Sequence, residues 1–328
     1  MNRKNIKRVA VFTSGGDAPG MNAAIRAVVR TAAFHDLHVY GIERGFEGMI
    51  AGTMNRMERR DVANIIQRGG TILRTARSKA FMTAEGRKSA FDNLRARDID
   101  ACIAIGGNGT FTGANIFSRE YGIPFIGVPG TIDNDLYGTD LTIGFDTAVN
   151  TAVEAVDKIR DTADSHNRLF FVEVMGRHSG YIALHVAIGS GASAVLIPEW
   201  ETSLDDLKLV LQKNKARGKL FSVIIVAEGH HMGGANGLAE QIRYDVANMD
   251  PKVTVIGHLQ RGGSPTAVDR LLASRLGHGA VEMLMSGKEN VAVGIVNDEL
   301  TCTSFEDAIT KEKKPRADLI KMASILAI

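Results

Sequence analysis

The chain has 328 residues, of which 45% are hydrophobic and 23% charged, and these are ordinary values for a folded globular protein. Its length exceeds the usual size of one domain and indicates two. Lysine and arginine exceed aspartate and glutamate by only 39 − 37 = 2. This surplus is too small to indicate a polyanionic partner such as nucleic acid.

The cysteine count and the length of the apolar runs indicate the cellular compartment of the protein. Cys102 and Cys302 give neither a disulfide framework nor the spacing of a metal site. No run reaches the roughly 18 apolar residues that a membrane-spanning helix needs. We therefore expect a cytoplasmic protein without a membrane partner.

Short apolar runs that end in glycine-rich loops recur along the chain. In order they are residues 8–12, 101–105, 124–128, 170–174, 194–197, 223–227 and 253–256. Runs of this length, separated by amphipathic segments, are typical of strands buried on both faces of a parallel sheet. The sequence predicts an α/β protein of two domains, each with a mainly parallel sheet flanked by helices.

The loop SGGDAPG, at residues 14–20, follows the first predicted strand and leads into a helix. Backbone N–H groups in such a turn, together with a helix N-terminus, can bind phosphate. The loop is not a Walker A motif, whose pattern occurs nowhere in the chain. The loop GGNGTFTG, at residues 106–113, does not match the dinucleotide-binding pattern either.

Two carboxylates and three cations follow other predicted strands. Asp133 and Asp135 lie two residues apart in PGTIDND, so one could accept a hydroxyl proton while the other helps to hold a metal. Paired carboxylates in a loop are more often turn formers, and that interpretation stays open here. Arg177 in MGRHSG, and His258 and Arg261 in GHLQRGGSP, suit phosphate recognition.

These motifs occur in a fixed order together with RGGTIL at residues 68–73 and TAR at 75–77. Through them the chain resembles bacterial ATP-dependent 6-phosphofructokinases over nearly its whole length. The resemblance implies transfer of the γ-phosphoryl group of ATP to the 1-hydroxyl of fructose 6-phosphate, with Mg²⁺, in a homotetramer. It implies an ATP-binding domain of residues 1–144 plus about 260–310, and a sugar-phosphate domain of residues 145–259 plus about 311–328.

The resemblance also implies a role for individual residues. The ATP-side positions are Gly16, Arg77, Ser78, Asn108, Gly109 and Thr110. Asp133 matches the general base, Asp135 and Asn108 match positions linked to Mg²⁺, and Arg177 and Thr131 match further catalytic positions. The sugar-phosphate positions are Thr131, Asp133, Met175, Gly176, Arg177, Glu228, His258 and Arg261, with Arg168 and Lys252 supplied by a neighbouring subunit.

Two glycines bear on the phosphoryl donor. Pyrophosphate-dependent relatives have Asp and Lys at the positions of Gly109 and Gly130, where their bulk and charge obstruct the region of the ATP α-phosphate. Because both positions are Gly here, the resemblance favours ATP.

The chain also departs from the family's pattern. Asn108 replaces a carboxylate linked to Mg²⁺, so it supplies an oxygen ligand without charge. Lys252 replaces an arginine, which removes the bidentate fork but keeps a cation.

The family's allosteric nucleotide site is partly retained. The matching effector positions are Arg26, Arg30, Arg59, Arg160, Gly191, Arg217 and Lys219. A solvated charged face is the alternative interpretation for the helix arginines. Ser193 replaces an acidic residue linked to Mg²⁺, and Leu220 and Phe221 replace a Lys and a His. We therefore expect a weak response to ADP or phosphoenolpyruvate, or a response to another ligand.

Two alternative functions remain at this point. One is a kinase of the same superfamily that acts on a lipid or NAD, which GTIDND, MGRHSG and GHLQRGG together disfavour. The other is a catalytically impaired subunit that binds sugar phosphate and regulates a partner, which Asn108 suggests. Asp133, Asp135 and Arg177 all remain, and they favour an active enzyme over the impaired subunit.

Overall fold

A computed structural model describes residues 6–164, 168–219, 221–243 and 251–327. The chain divides into two compact units. The first comprises residues 1–131, 136–146 and 261–313, and the second comprises 132–135, 147–260 and 314–328. Residues 132–135, which the sequence-based division gave to the first domain, belong to the second unit, where the Ser179 hydroxyl donates a hydrogen bond to the main-chain oxygen of Asp133.

Helices and strands alternate along most of the chain. As far as residue 164 they are β1 (Arg8–Thr13), α1 (Met21–Phe34), β2 (His38–Ile42), α2 (Gly45–Ala51), β3 (Met54–Met57), α3 (Ala84–Arg95), β4 (Ala101–Gly106), α4 (Asn108–Tyr121), β5 (Phe125–Pro129) and α5 (Phe145–Asp164). There follow β6 (Leu169–Val174), α6 (Tyr181–Ser190), β7 (Ala194–Leu196), α7 (Leu204–Ala216), β8 (Ser222–Ala227), α8 (Gly234–Ile242), β9 (Pro251–Val255), α9 (Ala267–Met285), β10 (Val291–Val296), β11 (Glu299–Ser304), α10 (Phe305–Thr310) and α11 (Ala317–Leu326).

The first unit is built on a sheet whose described strands have the order β11-β10-β5-β4-β1-β2-β3. The five central strands run parallel, and β3 and β11 pair antiparallel at the two edges. Phenylalanine side chains fill one face of this sheet, and the rings of Phe46 and Phe81 stack with centroids 4.0 Å apart. The strand order reverses between β1 and β4, and such a switch point is where open α/β sheets bind ligands.

The second unit has a smaller sheet, with the described strands in the order β7-β8-β6-β9, all parallel. Phe171 and Ile224 are fully buried between this sheet and its helices. In register, Val174 at the end of β6 faces Ala227 at the end of β8. The loops after β6 and β8 therefore begin side by side.

The predicted class of fold is confirmed: both sheets are mainly parallel and are flanked by helices. Each of the seven apolar runs forms a strand. In five of them the side chains are buried on both faces of a sheet, whereas β7 and β9, at the two edges of the smaller sheet, are partly exposed. Within the described ranges, no helix combines the length and the apolar character that crossing a membrane requires.

Candidate functional site

In the first unit, the loops after β1 and β4 lie together at the switch point. The Ser14 N–H donates to the main-chain oxygen of Ile105 over 3.0 Å, and the Thr110 hydroxyl donates to the Ser14 carbonyl over 3.2 Å. Thr110 is buried, whereas Gly109 is exposed at the start of α4. The predicted phosphate-binding residues therefore adjoin a helix N-terminus, whose N–H groups and dipole favour an anion.

Gly16 lies directly beneath the guanidinium of Arg261, so a side chain at this position would displace that group. A Cβ atom at Gly16 would lie 2.5 Å from the guanidinium Nη1 of Arg261. That same nitrogen donates to the main-chain oxygen of Asp17 over 3.1 Å. Arg261 was predicted as a sugar-phosphate residue, and the structure holds its cation against the first glycine-rich loop within the first unit.

Asn22 holds the segment that leads to Arg77. Its side-chain amide donates to the carbonyl oxygens of Arg68 and Gly69 and accepts from the Ile72 N–H, at 2.7 to 3.1 Å. Arg77 itself is exposed. The Ser78 hydroxyl accepts the N–H of Phe81, which lies in the 3₁₀ turn Ala80–Met82, over 3.2 Å.

The two glycines that bear on the donor differ in their surroundings. A Cβ at Gly109 would meet no atom within 4 Å, so the fold does not require glycine there. A Cβ at Gly130 would lie 3.0 Å from Ile105 Cγ2 and 3.2 Å from Met21 Cε, so a side chain at that position would displace its neighbours. Thr131 follows, and its carbonyl oxygen accepts the Thr142 hydroxyl over 2.5 Å.

In the second unit, Asp133 and Arg177 form an ion pair. The Arg177 Nε lies 3.7 Å from Asp133 Oδ2. Asp133 is 3% exposed, whereas the Arg177 side chain is 56% exposed. The guanidinium therefore partly balances a buried carboxylate while its outer face remains open to a ligand.

Glu228 and Gln260 fix the loop that presents Arg177. Glu228 Oε1 accepts the N–H groups of Gly176 and Arg177 over 3.2 and 2.6 Å. Gln260 Oε1 accepts the Met175 N–H over 2.8 Å, and its amide nitrogen donates to the Ala148 carbonyl. With these anchors Arg177 is held at φ 53°, in the left-handed region that non-glycine residues seldom adopt.

Gln260 and Ser179 are positioning residues that the sequence analysis missed. Gln260 is fully buried and ties the loop after β9 to the loop after β6, while Ser179 holds the main chain at Asp133. The only signal in the sequence is the place of Gln260 between His258 and Arg261 in GHLQRGG. His258 itself is exposed in the turn Gly257–Arg261.

Arg168 and Lys252 lie at the opposite end of the second unit's sheet from Arg177. Arg168 directly precedes β6, and Lys252 lies beside Phe170 near the start of the parallel strand β9. Arg177 follows the other end of β6, and a strand of this length spans about 20 Å. One chain therefore cannot bring Arg168 and Arg177 to the same phosphate group.

The predicted effector residues fall into one group in each unit. In the first, Arg26 and Arg30 share a face of α1, where burial and then the charge of Arg30 lower the pKa of Arg26. Arg59 donates to the Ala33 carbonyl of that helix.

In the second unit, the Arg160 guanidinium donates to the Gly191 carbonyl over 2.9 Å. Burial, and then the charge of Arg160, lower the pKa of Lys219. Arg217 is exposed and Ser193 is buried. Leu220 lies outside the described residues, and the effector assignments stay predictions.

Comparison with known proteins identifies the family. A family model for phosphofructokinase matches residues 8–284, well over half of the chain. The chain belongs to the phosphofructokinase family.

Relatives match over nearly the full length. The chain is 52% identical to ATP-dependent 6-phosphofructokinase 2 of Bacteroides thetaiotaomicron, covering 98% of this chain and 99% of that protein. It is 55% identical to ATP-dependent 6-phosphofructokinase 1 of Thermus thermophilus, covering 98% and 100%. Among solved structures it matches phosphofructokinase from Saccharomyces cerevisiae with a TM-score of 0.88 and 37% identity, covering 92% of this chain and 45% of the yeast chain.

Proposed function

We propose that this protein is an ATP-dependent 6-phosphofructokinase, which converts fructose 6-phosphate and ATP into fructose 1,6-bisphosphate and ADP in glycolysis. The observation that supports this most directly is the buried Asp133 carboxylate paired with Arg177, on a loop anchored by Glu228 and Gln260. Relatives named for this reaction match the chain from end to end.

Asp133 is the proposed general base. Its carboxylate takes the proton of the sugar 1-hydroxyl, whose oxygen then forms a bond to the γ-phosphorus of ATP. The bond from the γ-phosphorus to the β–γ bridging oxygen breaks, and ADP leaves with that electron pair. The Ser179 hydroxyl holds the main chain at Asp133, and the Arg177 guanidinium lies beside the carboxylate.

Arg177 is the proposed electrostatic catalyst. Its guanidinium offers N–H donors to the oxygens of the phosphoryl group as negative charge shifts in the transition state. Glu228 and Gln260 fix the loop's backbone before substrate binds, so little reorganisation is needed during the reaction. Met175, Gly176, Glu228, His258 and Arg261, with Thr131, are the further proposed sugar-phosphate residues.

The first unit is the proposed ATP-binding unit. The open space at Gly109 supports ATP as the donor, because a side chain at this position would occupy that space beside the first turn of α4. Gly16, Asn108 and Thr110, with Arg77 and Ser78, are the proposed ATP-side residues.

The described donors suit a Mg²⁺ ion held mainly by the nucleotide. Among the described residues, no group of three or more His, Cys, Asp or Glu side chains is arranged to hold a metal. Mg²⁺ typically keeps its waters and binds one or two carboxylates plus substrate phosphates, which Asp135 and the amide oxygen of Asn108 would match. When bound, the ion would neutralise phosphate charge.

We also propose a homotetramer in which Arg168 and Lys252 bind the 6-phosphate in a neighbouring subunit. The distance between the two ends of β6 supports this, because it keeps Arg168 away from Arg177 within one chain.

A cytoplasmic location is proposed on family membership and on the two free cysteines, Cys102 and Cys302.

A coupled assay tests the proposal. Purified protein with fructose 6-phosphate, ATP and Mg²⁺ should form fructose 1,6-bisphosphate, and replacing ATP with pyrophosphate should abolish turnover. Comparable rates with both donors would contradict the donor assignment. No turnover with either donor, together with retained fructose 6-phosphate binding, would favour the impaired regulatory subunit that Asn108 suggests.

A further inference from the structure

A cavity of about 380 Å³ lies in the second unit between α7, α11 and the edge strand β7. Its floor and walls are mostly apolar and include Leu196, Leu207, Val210 and Ile320. This volume falls within the range of small-molecule sites, which are typically apolar clefts with a few placed polar groups. None of the proposed catalytic or substrate-binding residues lines it.

The acidic and the basic residues that line the cavity lie at opposite ends of α7. Asp206 and Glu201 lie near the start of the helix, and Lys213 and Arg217 lie at its end. Asp206 and Arg217 are about 16 Å apart along the helix axis. Neither Lys213 nor Arg217 forms an ion pair among the described residues. An elongated anion is therefore attracted to one end of the cavity and repelled from the other.

A buried hydrogen-bond donor lies at the same basic end. Asn214 lines the cavity and is 4% exposed, and its amide nitrogen has no hydrogen-bond partner within the described ranges. A buried amide donor without a partner costs about 1–3 kcal/mol, which an oxygen atom of a ligand would offset. Asn214 thus provides a second, uncharged group that recognises an oxygen-bearing head group.

We propose that this cavity is a binding site for an amphipathic carboxylate, that is, an unbranched acyl chain with an anionic head group. The chain lies along Val210, Leu207 and Ile320, and the carboxylate binds Lys213 and the Asn214 amide. Arg217 and Ser193, which also belong to the predicted effector region, border the basic end, so the head group lies next to that region while the chain extends away from it.

Trp200 provides a direct measurement of binding. It is the only tryptophan in the sequence, it lines the cavity and it is 56% exposed. Titration of the full protein with octanoate, below the concentration at which it forms micelles, should change the Trp200 fluorescence in a saturable way. Octanol lacks the charge of octanoate, acetate lacks its chain, and octylammonium has the opposite charge. Each of the three should bind at least tenfold more weakly than octanoate.

Matched variants locate the ligand. Val210→Phe fills the cavity and should weaken octanoate binding at least tenfold, whereas Leu209→Phe, on an exposed and non-lining position of the same helix, should not. Lys213→Gln should weaken binding severalfold, and Lys215→Gln, outside the cavity, should leave it unchanged. If Val210→Phe proves unstable by circular dichroism, Ala327→Phe fills the cavity from α11's end.

Three results would overturn the proposal. They are the absence of a saturable signal with octanoate, equal affinity for octanol, and wild-type affinity in both cavity-filling variants. Displacement of octanoate by ADP, with no effect of Val210→Phe, would place the ligand in the effector region instead.

Discussion

Asp133 is nearly fully buried, and the guanidinium of Arg177 lies beside its carboxylate. Asp133→Ser should lower kcat by about 10³-fold while leaving fructose 6-phosphate binding nearly intact, since a general base acts mainly in the transition state. Steady-state kinetics and equilibrium binding measure the two effects separately. Asp157→Ser, which removes an exposed carboxylate on α5, is the control, and an Asp133→Ser enzyme with most of its kcat would show that another residue is the base.

Asn108 begins α4, and the described first turn of that helix has no acidic residue. Asn108→Asp should raise kcat or lower the Mg²⁺ concentration needed for half the maximal rate, because a carboxylate neutralises the metal–phosphate complex better than an amide. A tenfold gain corresponds to about 1.4 kcal/mol. An acidic side chain at a helix N-terminus is also compatible with the helix dipole, so folding should not suffer.

The measurement is a Mg²⁺ titration of the initial rate at saturating ATP and fructose 6-phosphate. Asn115→Asp adds the same charge two turns further along α4 and should leave the curve unchanged. Superimposable curves for wild type and Asn108→Asp would mean that this residue does not act through the metal. A loss of activity would mean that the site is adapted to a neutral ligand.

His230 is 3% exposed, and neither ring nitrogen has a hydrogen-bond partner among the described residues. Burial, and then the charge of His231, lower the pKa of His230 to about 4. An unfolded histidine has a pKa of about 6.5, so below that pH the unfolded chain binds a proton that the folded chain does not. The contribution of His230 to the stability of the second unit should therefore be constant above about pH 6.5 and fall as the pH decreases toward 4.

His230→Phe should remove the loss of stability that His230 causes at low pH. Between pH 7.5 and 5.5 the wild type should lose about 1.4 kcal/mol more than the variant, measured by urea unfolding with Trp200 fluorescence as the probe of the second unit. His38→Phe, which replaces an exposed histidine of the first unit, should behave like wild type. Equal pH slopes for wild type and His230→Phe would show that folding does not lower the pKa of His230.

At the scale of elements, seven of the eleven described strands were predicted and the loop contacts were not. Each predicted strand lies in the structure within two residues of its predicted ends, and in five of the seven the side chains are buried on both sheet faces. The strands β2, β3, β10 and β11 were not predicted. Of these, β3 is short, and β11 carries exposed polar side chains. Gln260 and Met175 are 85 positions apart in the chain, and no local pattern indicates that their side chain and backbone meet.

The loop after β8 also constrains the loop that presents Arg177. A Cβ at Gly229 would lie 1.8 Å from the Arg177 carbonyl oxygen, so any side chain there must displace the residues around Arg177. Gly229→Ala should lower kcat by about 10²-fold, because displacing a positioned group by about 1 Å can cost that much. Gly189→Ala is the matched control, since its Cβ would make an ordinary 3.5 Å contact with Val153.

Steady-state kinetics and circular dichroism together test this role of Gly229. A loss in kcat with an unchanged far-UV spectrum and an unchanged unfolding midpoint is expected, since the displacement is local. A fall in the unfolding midpoint that accounts for the loss of activity would instead show that Gly229 acts through stability alone. Full activity in Gly229→Ala would show that the loop tolerates the displacement.

At the scale of the whole molecule, the opposite positions of Arg168 and Arg177 on the second unit's sheet determine how subunits should cooperate. If Arg168 binds the 6-phosphate in a neighbouring subunit, Asp133→Ser inactivates the site of its own chain. Arg168→Ala instead inactivates the site of the neighbouring chain. In a symmetric interface each chain both gives and receives this residue. A site formed by Asp133 of one variant and Arg168 of the other contains neither substitution.

Mixed subunits should therefore regain activity that neither variant has alone. After dissociation and reassociation of the two variants in equal amounts, about a quarter of the sites combine an intact Asp133 with a neighbour's intact Arg168, so activity should approach that fraction of wild type. Mixing Asp133→Ser with Lys252→Ala should give the same recovery, whereas mixing Asp133→Ser with Arg177→Ala should give none, because Asp133 and Arg177 pair within one chain. Sedimentation of the mixture establishes that subunits have reassociated. Fully active monomers, or recovery with Arg177→Ala, would contradict a site shared between chains.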